Sequence, residues 1–151
     1  QINAGVQAVQ LFDSWVGCLS KYDYKKFVLP FSKKVIQNIK PDIPIIHFGV
    51  NTAALLELMA EAGGDVIGID WRIDIKEAWK RIGFNRAIQG NLDPVILFAP
   101  ISVIEENIKI ILESAEKRPG HIFNLGHGIL PGTPLEHVIA LVDIVHNLSQ
   151  K

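Results

Sequence analysis

Five short apolar runs recur along the chain: Ala8 to Phe12, Ile43 to Phe48, Val66 to Asp70, Ala87 to Gly90 and His121 to Leu125. Each is nearly continuous in hydrophobicity rather than alternating, the pattern of a strand buried in a parallel sheet covered on both faces. Helical patterns occupy Tyr24 to Lys40, Thr52 to Ala62, Ile75 to Ile82, Ser102 to Ala115 and Pro134 to Leu148. Strands alternating with helices of this length make parallel βαβ units. Ser102-Val103-Ile104-Glu105 has the form of a capping box, Asn51 or Thr52 can cap the second helix, and Gly63-Gly64 stops it. Pro30 predicts a kink or break in the first helix, and Pro44 falls at the start of a strand, where a missing donor matters least.

Two architectures fit this alternation, a doubly wound open sheet and part of a (β/α)8 barrel. The open sheet suits a chain of 151 residues, whereas a whole barrel needs about 250. Against a nucleotide-binding open sheet, the first strand is followed by Phe12-Asp13-Ser14-Trp15-Val16-Gly17 rather than a glycine-rich loop. Polar residues collect where the apolar runs end: Asp13 and Ser14, His47 and Asn51, Asp70, Asn91 and Asp93, and His127. In a barrel those ends converge on the face where chemistry sits. Residues 1 to 6 read as the tail of a helix entering a strand whose edge nothing covers. The expected class is therefore α/β, and if the strand ends converge as in a barrel, five strands in this length make a portion of one rather than the whole.

Composition narrows the partners. The chain is 48% hydrophobic and 21% charged, as an ordinary folded domain is. No apolar run approaches the ~20 residues of a membrane span, and the first residues lack the form of a signal peptide, so a cytoplasmic protein with no membrane partner is expected. A formal net charge of −1 leaves no electrostatic footprint for nucleic acid. Cys18 is the single cysteine, so no internal disulfide forms.

The candidate chemistry lies at the strand ends. Phe12, Asp13 and Ser14 offer an apolar wall, a carboxylate and a hydroxyl, although Asp and Ser after a strand equally serve as caps. His47-Phe48-Gly49 lacks the thiolates of a zinc site, so His47 reads as a satisfied strand-end histidine. Asp70 must be paired if ionised, and Asn91 and Asp93 sit in a turn whose side chains satisfy their own backbone. His127 is sharper. It stands between Gly126 and Gly128, in a turn that glycine makes most freely, directly after a strand and before a helix opened by Pro134. Its imidazole can donate to a carboxylate or move a proton, and the same turn could instead bind phosphate. His121, His137 and His146 read as peripheral.

The run from His121 to Pro134 closely resembles the C-terminal signature of the uroporphyrinogen decarboxylase family. The likeness resumes at Gln10 to Gly17, Phe27-Val28-Leu29-Pro30-Phe31, Gly68-Ile69-Asp70-Trp71, Gln89 to Pro94 and Val142 to His146, in the family's order. It implies a (β/α)8 barrel, a homodimer, that converts the four acetate side chains of uroporphyrinogen III to methyls, giving coproporphyrinogen III in heme biosynthesis. The resemblance further implies no metal and no organic cofactor. Phe12 and Ser14 would line the tetrapyrrole pocket, and His127 would bond a substrate carboxylate. The family's arginine-rich loop, the aspartate facing the pyrrole nitrogens and a substrate-contacting tyrosine have no counterpart here. The resemblance thus implies that residues 1–151 are the C-terminal part of one TIM barrel domain, about five βα units, and that the principal catalytic groups lie outside this chain, which alone is expected to be inactive. Two alternatives remain: a non-catalytic partial-barrel assembly or binding module, and a relative of the zinc-dependent methyltransferases on the same fold, disfavoured by the missing cysteines.

Overall fold

A computed structural model describes residues 1–39 and 43–149. Five strands, β1 (Val9–Phe12), β2 (Ile45–Phe48), β3 (Val66–Gly68), β4 (Ala87–Leu92) and β5 (His121–Leu125), form one sheet in sequential order with every neighbouring pair parallel. The helices are α1 (Lys21–Asp23), α2 (Leu29–Gln37), α3 (Leu56–Ala62), α4 (Ile75–Ile82), α5 (Ile101–Ser114) and α6 (Leu135–Ser149). A doubly wound sheet reverses its strand order at a switch point. This one does not, and right-handed crossovers wound in one direction put all helices on one face. The winding is that of a partial (β/α)8 barrel.

Side-chain parity bears this out. Ile67, Ile88, Leu92, Phe123 and Leu125 share one face and pack with the helices in the cores. The other face carries no helix among the described residues, which corrects the expectation of a sheet covered on both sides; there Phe12 and Ile122 stay exposed. The middle strands are buried, whereas β1 and β5 are edges and only partly so.

Pro30 splits the first helical pattern as expected. Residues Tyr24–Val28 wind as a wider π turn, and α2 restarts with Pro30 in its first turn, where its missing donor is harmless. The predicted end of that helix at Lys40 lies outside the described residues. Two capping expectations fail. Helix α5 begins one residue before Ser102, after Pro100, and Ser102 caps nothing. Neither Asn51 nor Thr52 caps α3, which begins only at Leu56; the Thr52 hydroxyl donates to the Gly49 carbonyl and the Asn51 amide is bonded elsewhere. The stop at Gly63 holds, with φ 122°. Helix α4 is read to the residue, and its cap is Asp74, which accepts the Glu77 amide in an Asp-x-x-Glu arrangement.

His121 opens β5 with Nε2 3.0 Å from the Gly90 carbonyl oxygen. Burial pushes its pKa below 6.5 against the opposing pull of that carbonyl. The unfolded chain therefore takes up the proton first, so stability is complete above the ordinary value and falls as pH drops below it toward the folded one. Between about pH 7 and pH 5.5, above the range of the carboxylates, His121→Gln is expected to lose less stability than the parent. Urea midpoints at the two pH values measure the difference; equal losses would count against it.

Candidate active site at the strand ends

A parallel sheet delivers the C-terminal ends of all its strands to one side. Register places Phe12, Phe48, Gly68, Gln89 and Ile122 in one row on the helix-free face. Phe12 ends β1, is 66% exposed, and meets the Phe48 ring edge-on at 5.9 Å. Gln89 reaches across the same face to Gln10, 3.4 Å away. Ser14, two residues beyond the strand, is half-buried, and His127 is exposed two residues beyond β5. Neither side chain makes a hydrogen bond or ion pair within the described residues. Phe12 and His127 share this end of the sheet but stand on its opposite edges, four strand spacings of ~4.8 Å apart along it.

The remaining polar strand-end residues are engaged by the fold. Asp13 points to the helix side, where its Oδ2 accepts from Ser32 Oγ at 2.8 Å and His47 Nε2 at 2.8 Å. An ionised carboxylate only accepts, so Nε2 carries the imidazole proton. Burial works against the Asp13 charge, but the bonds from His47 and Ser32 outweigh it and hold the carboxyl below its usual range. His47 is wholly buried, yet only its Nε2 is satisfied; Nδ1 has no partner.

Asp70 is buried and accepts the backbone amides of Asn51 at 2.6 Å and Arg72 at 3.1 Å, together with the Arg72 guanidinium. It thereby ties the loop after β2 to the loop after β3 and holds Asn51 in a left-handed turn, φ 57°. Arg72 lies over the Trp71 ring at 4.2 Å. Asn91 belongs to β4 rather than to the turn expected there, and its amide donates to the carbonyls of Asp70 at 2.9 Å and Ile73 at 2.6 Å. Asp93 caps the short turn Pro94–Phe98 through the Val95 amide.

The glycines around His127 act differently from the expectation. Neither takes a left-handed φ; that conformation falls at Gly132, φ 82°. Gly126 is needed for close approach, since a Cβ there would lie 2.8 Å from both the Trp71 ring and its backbone nitrogen. Gly128 has open space around it. The phosphate alternative is weakened by the start of α6, where Pro134 offers no N–H and Glu136 places a negative charge in the first turn. His137 is taken up by the Leu97 carbonyl. Among the described residues no three His, Cys, Asp or Glu side chains gather to hold a metal ion, and no helix is long and apolar enough to cross a membrane.

The sequence reading missed the connection of Asp13 to His47 and Ser32, which no local pattern encodes. It also missed Gln89 and Asn124 on the open face, although alternation along β4 and β5 could have marked them.

A sequentially ordered parallel sheet with an exposed Phe and His and a half-buried Ser at its strand ends defines an α/β protein of the barrel class. Residues 1–148 match the family described as Uroporphyrinogen decarboxylase (URO-D). The uroporphyrinogen decarboxylase of Carboxydothermus hydrogenoformans is 60% identical over 150 residues, covering 99% of this chain and 43% of that protein. That of Sorangium cellulosum is 53% identical over 151 residues, again 43% of its length. A methyltransferase from Methanosarcina mazei superposes with a TM-score of 0.85 over 99% of this chain and 44% of its own, at 22% identity, a likeness of fold. The chain belongs to the uroporphyrinogen decarboxylase family, and it spans about 43% of the length of the curated relatives it matches.

Proposed function

We propose that residues 1–151 supply one part of a single-domain uroporphyrinogen decarboxylase barrel, its C-terminal part. The complete enzyme removes carbon dioxide from the four acetate side chains of uroporphyrinogen to give coproporphyrinogen in tetrapyrrole biosynthesis. The observation that carries this reading, within the family, is the division of labour at the strand ends. Asp13, Asp70, Asn91 and Asp93 are bonded to the fold itself. Ser14 and His127 keep their polar atoms free, and Phe12 leaves most of its ring in the open.

A tetrapyrrole with acidic side chains needs an apolar wall and hydrogen-bond donors for its carboxylates. Phe12 supplies the first; the Ser14 hydroxyl and the His127 imidazole supply the second. Loss of carbon dioxide from an acetate leaves electrons that a protonated pyrrole accepts, and a negative group facing the pyrroles stabilises that cation. The three strand-end carboxylates considered above, Asp13, Asp70 and Asp93, are already committed to the fold. The chain's role is to bind and orient, the charge-stabilising group comes from elsewhere in the barrel, and the chain alone releases no carbon dioxide. The family's homodimer is part of the same proposal: Trp15, Phe27 and Phe31 all stand exposed, and such rings are what a protein interface covers.

The test uses a complete barrel, residues 1–151 joined to the remainder of the Carboxydothermus hydrogenoformans relative. A hydrogen bond to a charged group contributes ~1.5–3 kcal/mol, so Ser14→Ala and His127→Leu are each expected to raise KM about tenfold or more. Unchanged KM in both variants would remove Ser14 and His127 from the pocket.

A further inference from the structure

We infer that Asp13 and His47 form a positioning pair that aims Phe12 and Ser14 at the substrate, an inference that rests on the reading of those two as pocket residues. Asp13 lies between them in sequence. Alternation at the end of β1 sets Phe12 on the open side when the Asp13 carboxylate is fixed on the helix side. Ser14 opens the turn that the Asp13 carbonyl closes by accepting the Val16 amide at 3.2 Å, so an anchored Asp13 fixes where both neighbours start. The Asp13 amide donates to the Phe48 carbonyl at 2.7 Å, extending the β1–β2 ladder one residue beyond the last paired strand position. Its carboxylate then grips β2 through His47 and α2 through Ser32, both at 2.8 Å. Three elements thus meet on a single oxygen, Oδ2.

The pair sits in a setting that resists rearrangement. His47 and Tyr24 are wholly buried. Burial, and then the Asp13 charge, push the Tyr24 hydroxyl's pKa up, which marks the carboxylate as an anion close to this packing. The next part of the same loop is pinned as well: a Cβ on Gly17 would come 2.1 Å from the Val50 carbonyl oxygen, and Asn51 Nδ2 donates to the Gly17 carbonyl at 3.2 Å. Neither Asp13 nor His47 faces the open side of the sheet. They act through Phe12 and Ser14.

Removing the His47 donor leaves a half-buried carboxylate with Ser32 as its one remaining partner. Such a charge turns toward water. A carboxylate that leaves this place lets go of β2, so the turn that begins at Ser14 loses its anchor and a freed negative charge stands near the carboxylates of the substrate. The effect therefore falls on substrate binding, KM, more than on kcat.

In the complete barrel, His47→Leu is expected to raise KM about tenfold with kcat within about threefold of the parent, a loss the size of one charge-assisted hydrogen bond. His47→Gln, whose amide nitrogen can stand where Nε2 stands, is expected to keep KM within about threefold of the parent. If His47→Leu does not fold, Asp13→Ala against Asp13→Asn makes the same comparison. The amide oxygen of Asn still accepts from His47, so Asn is expected to rescue what Ala loses. Equal KM shifts in the Leu and Gln variants would assign His47 to packing alone and overturn the inference. A raised KM in Ser14→Ala with an unchanged KM in His47→Leu would overturn the positioning role and leave the pocket standing. Unchanged KM in Ser14→Ala and Phe12→Ala would overturn both.

Discussion

Gly126→Ala is expected to destabilise the chain by about 3 kcal/mol, the upper end of the overpacking range, while Gly128→Ala changes stability by no more than about 0.5 kcal/mol. The two residues flank the same histidine and look alike in sequence. Their surroundings differ completely. A Cβ on Gly126 would stand 2.8 Å from the Trp71 backbone nitrogen and 3.0 Å from the Asp70 Cα, and backbone does not swing aside as a flexible side chain does. Nor is that backbone free to retreat, since Asp70 is fastened to Asn51 and Arg72 and its carbonyl receives the Asn91 amide. Gly126 is itself tied to β4, its N–H donating to the Leu92 carbonyl at 2.7 Å. Gly128 meets nothing within 4 Å. Urea midpoints of the two variants test the contrast. Comparable losses in both would show that the turn requires glycine for its backbone dihedrals rather than for contact with Trp71.

Trp79→Ala is expected to cost about 3–5 kcal/mol, enough to lower Tm by about 10 °C or more. Trp79 is 1% exposed and lies in the core beneath β3 and β4, among Ile67, Ile69, Ile75, Ile88 and Ala115. Truncation removes that contact area and leaves a cavity between α4 and the sheet. It also orphans the Arg86 carbonyl, which accepts the indole Nε1–H at 2.7 Å. Trp79→Phe separates the contributions. It keeps most of the apolar contact and loses the donor, for an expected cost of about 1–3 kcal/mol. A thermal melt that placed the Phe variant as low as the Ala variant would make the hydrogen bond, not the packing, the dominant element.

The elements most legible in the sequence are those whose signals are local. Buried parallel strands advertise themselves as apolar runs, and all five runs became strands in the expected order. Helix α4 could be read to both ends because its apolar face begins at Ile75 and Gly83 stops it. The start of α3 could not be read, since the chain first makes a turn in which the Thr52 carbonyl accepts the Leu55 amide, the helix begins only at Leu56 with no side-chain cap, and the Asn51 side chain reaches to Gly17, 34 residues away. The site shows the same split. That chemistry gathers at the strand ends followed from position alone. Which polar residues were available followed from topology: Asp13 meets Ser32 and His47 across 19 and 34 residues, and no pattern around Asp13 distinguishes it from an exposed acid. Glycine is ambiguous in a further way, because a sequence does not separate a residue required by its dihedrals from one required by a neighbour.

The bonds of Asp70 and Asn91 have a consequence for how such a protein changes over time. Together they join the ends of β2, β3 and β4 from within, using two side chains and the backbone of the adjoining loops. The rim is braced from behind, so Ser14 and His127 contribute no hydrogen bond to folding. Mutation can sample new side chains at those two positions without first having to rebuild the sheet, the physical condition under which one scaffold acquires different chemistries.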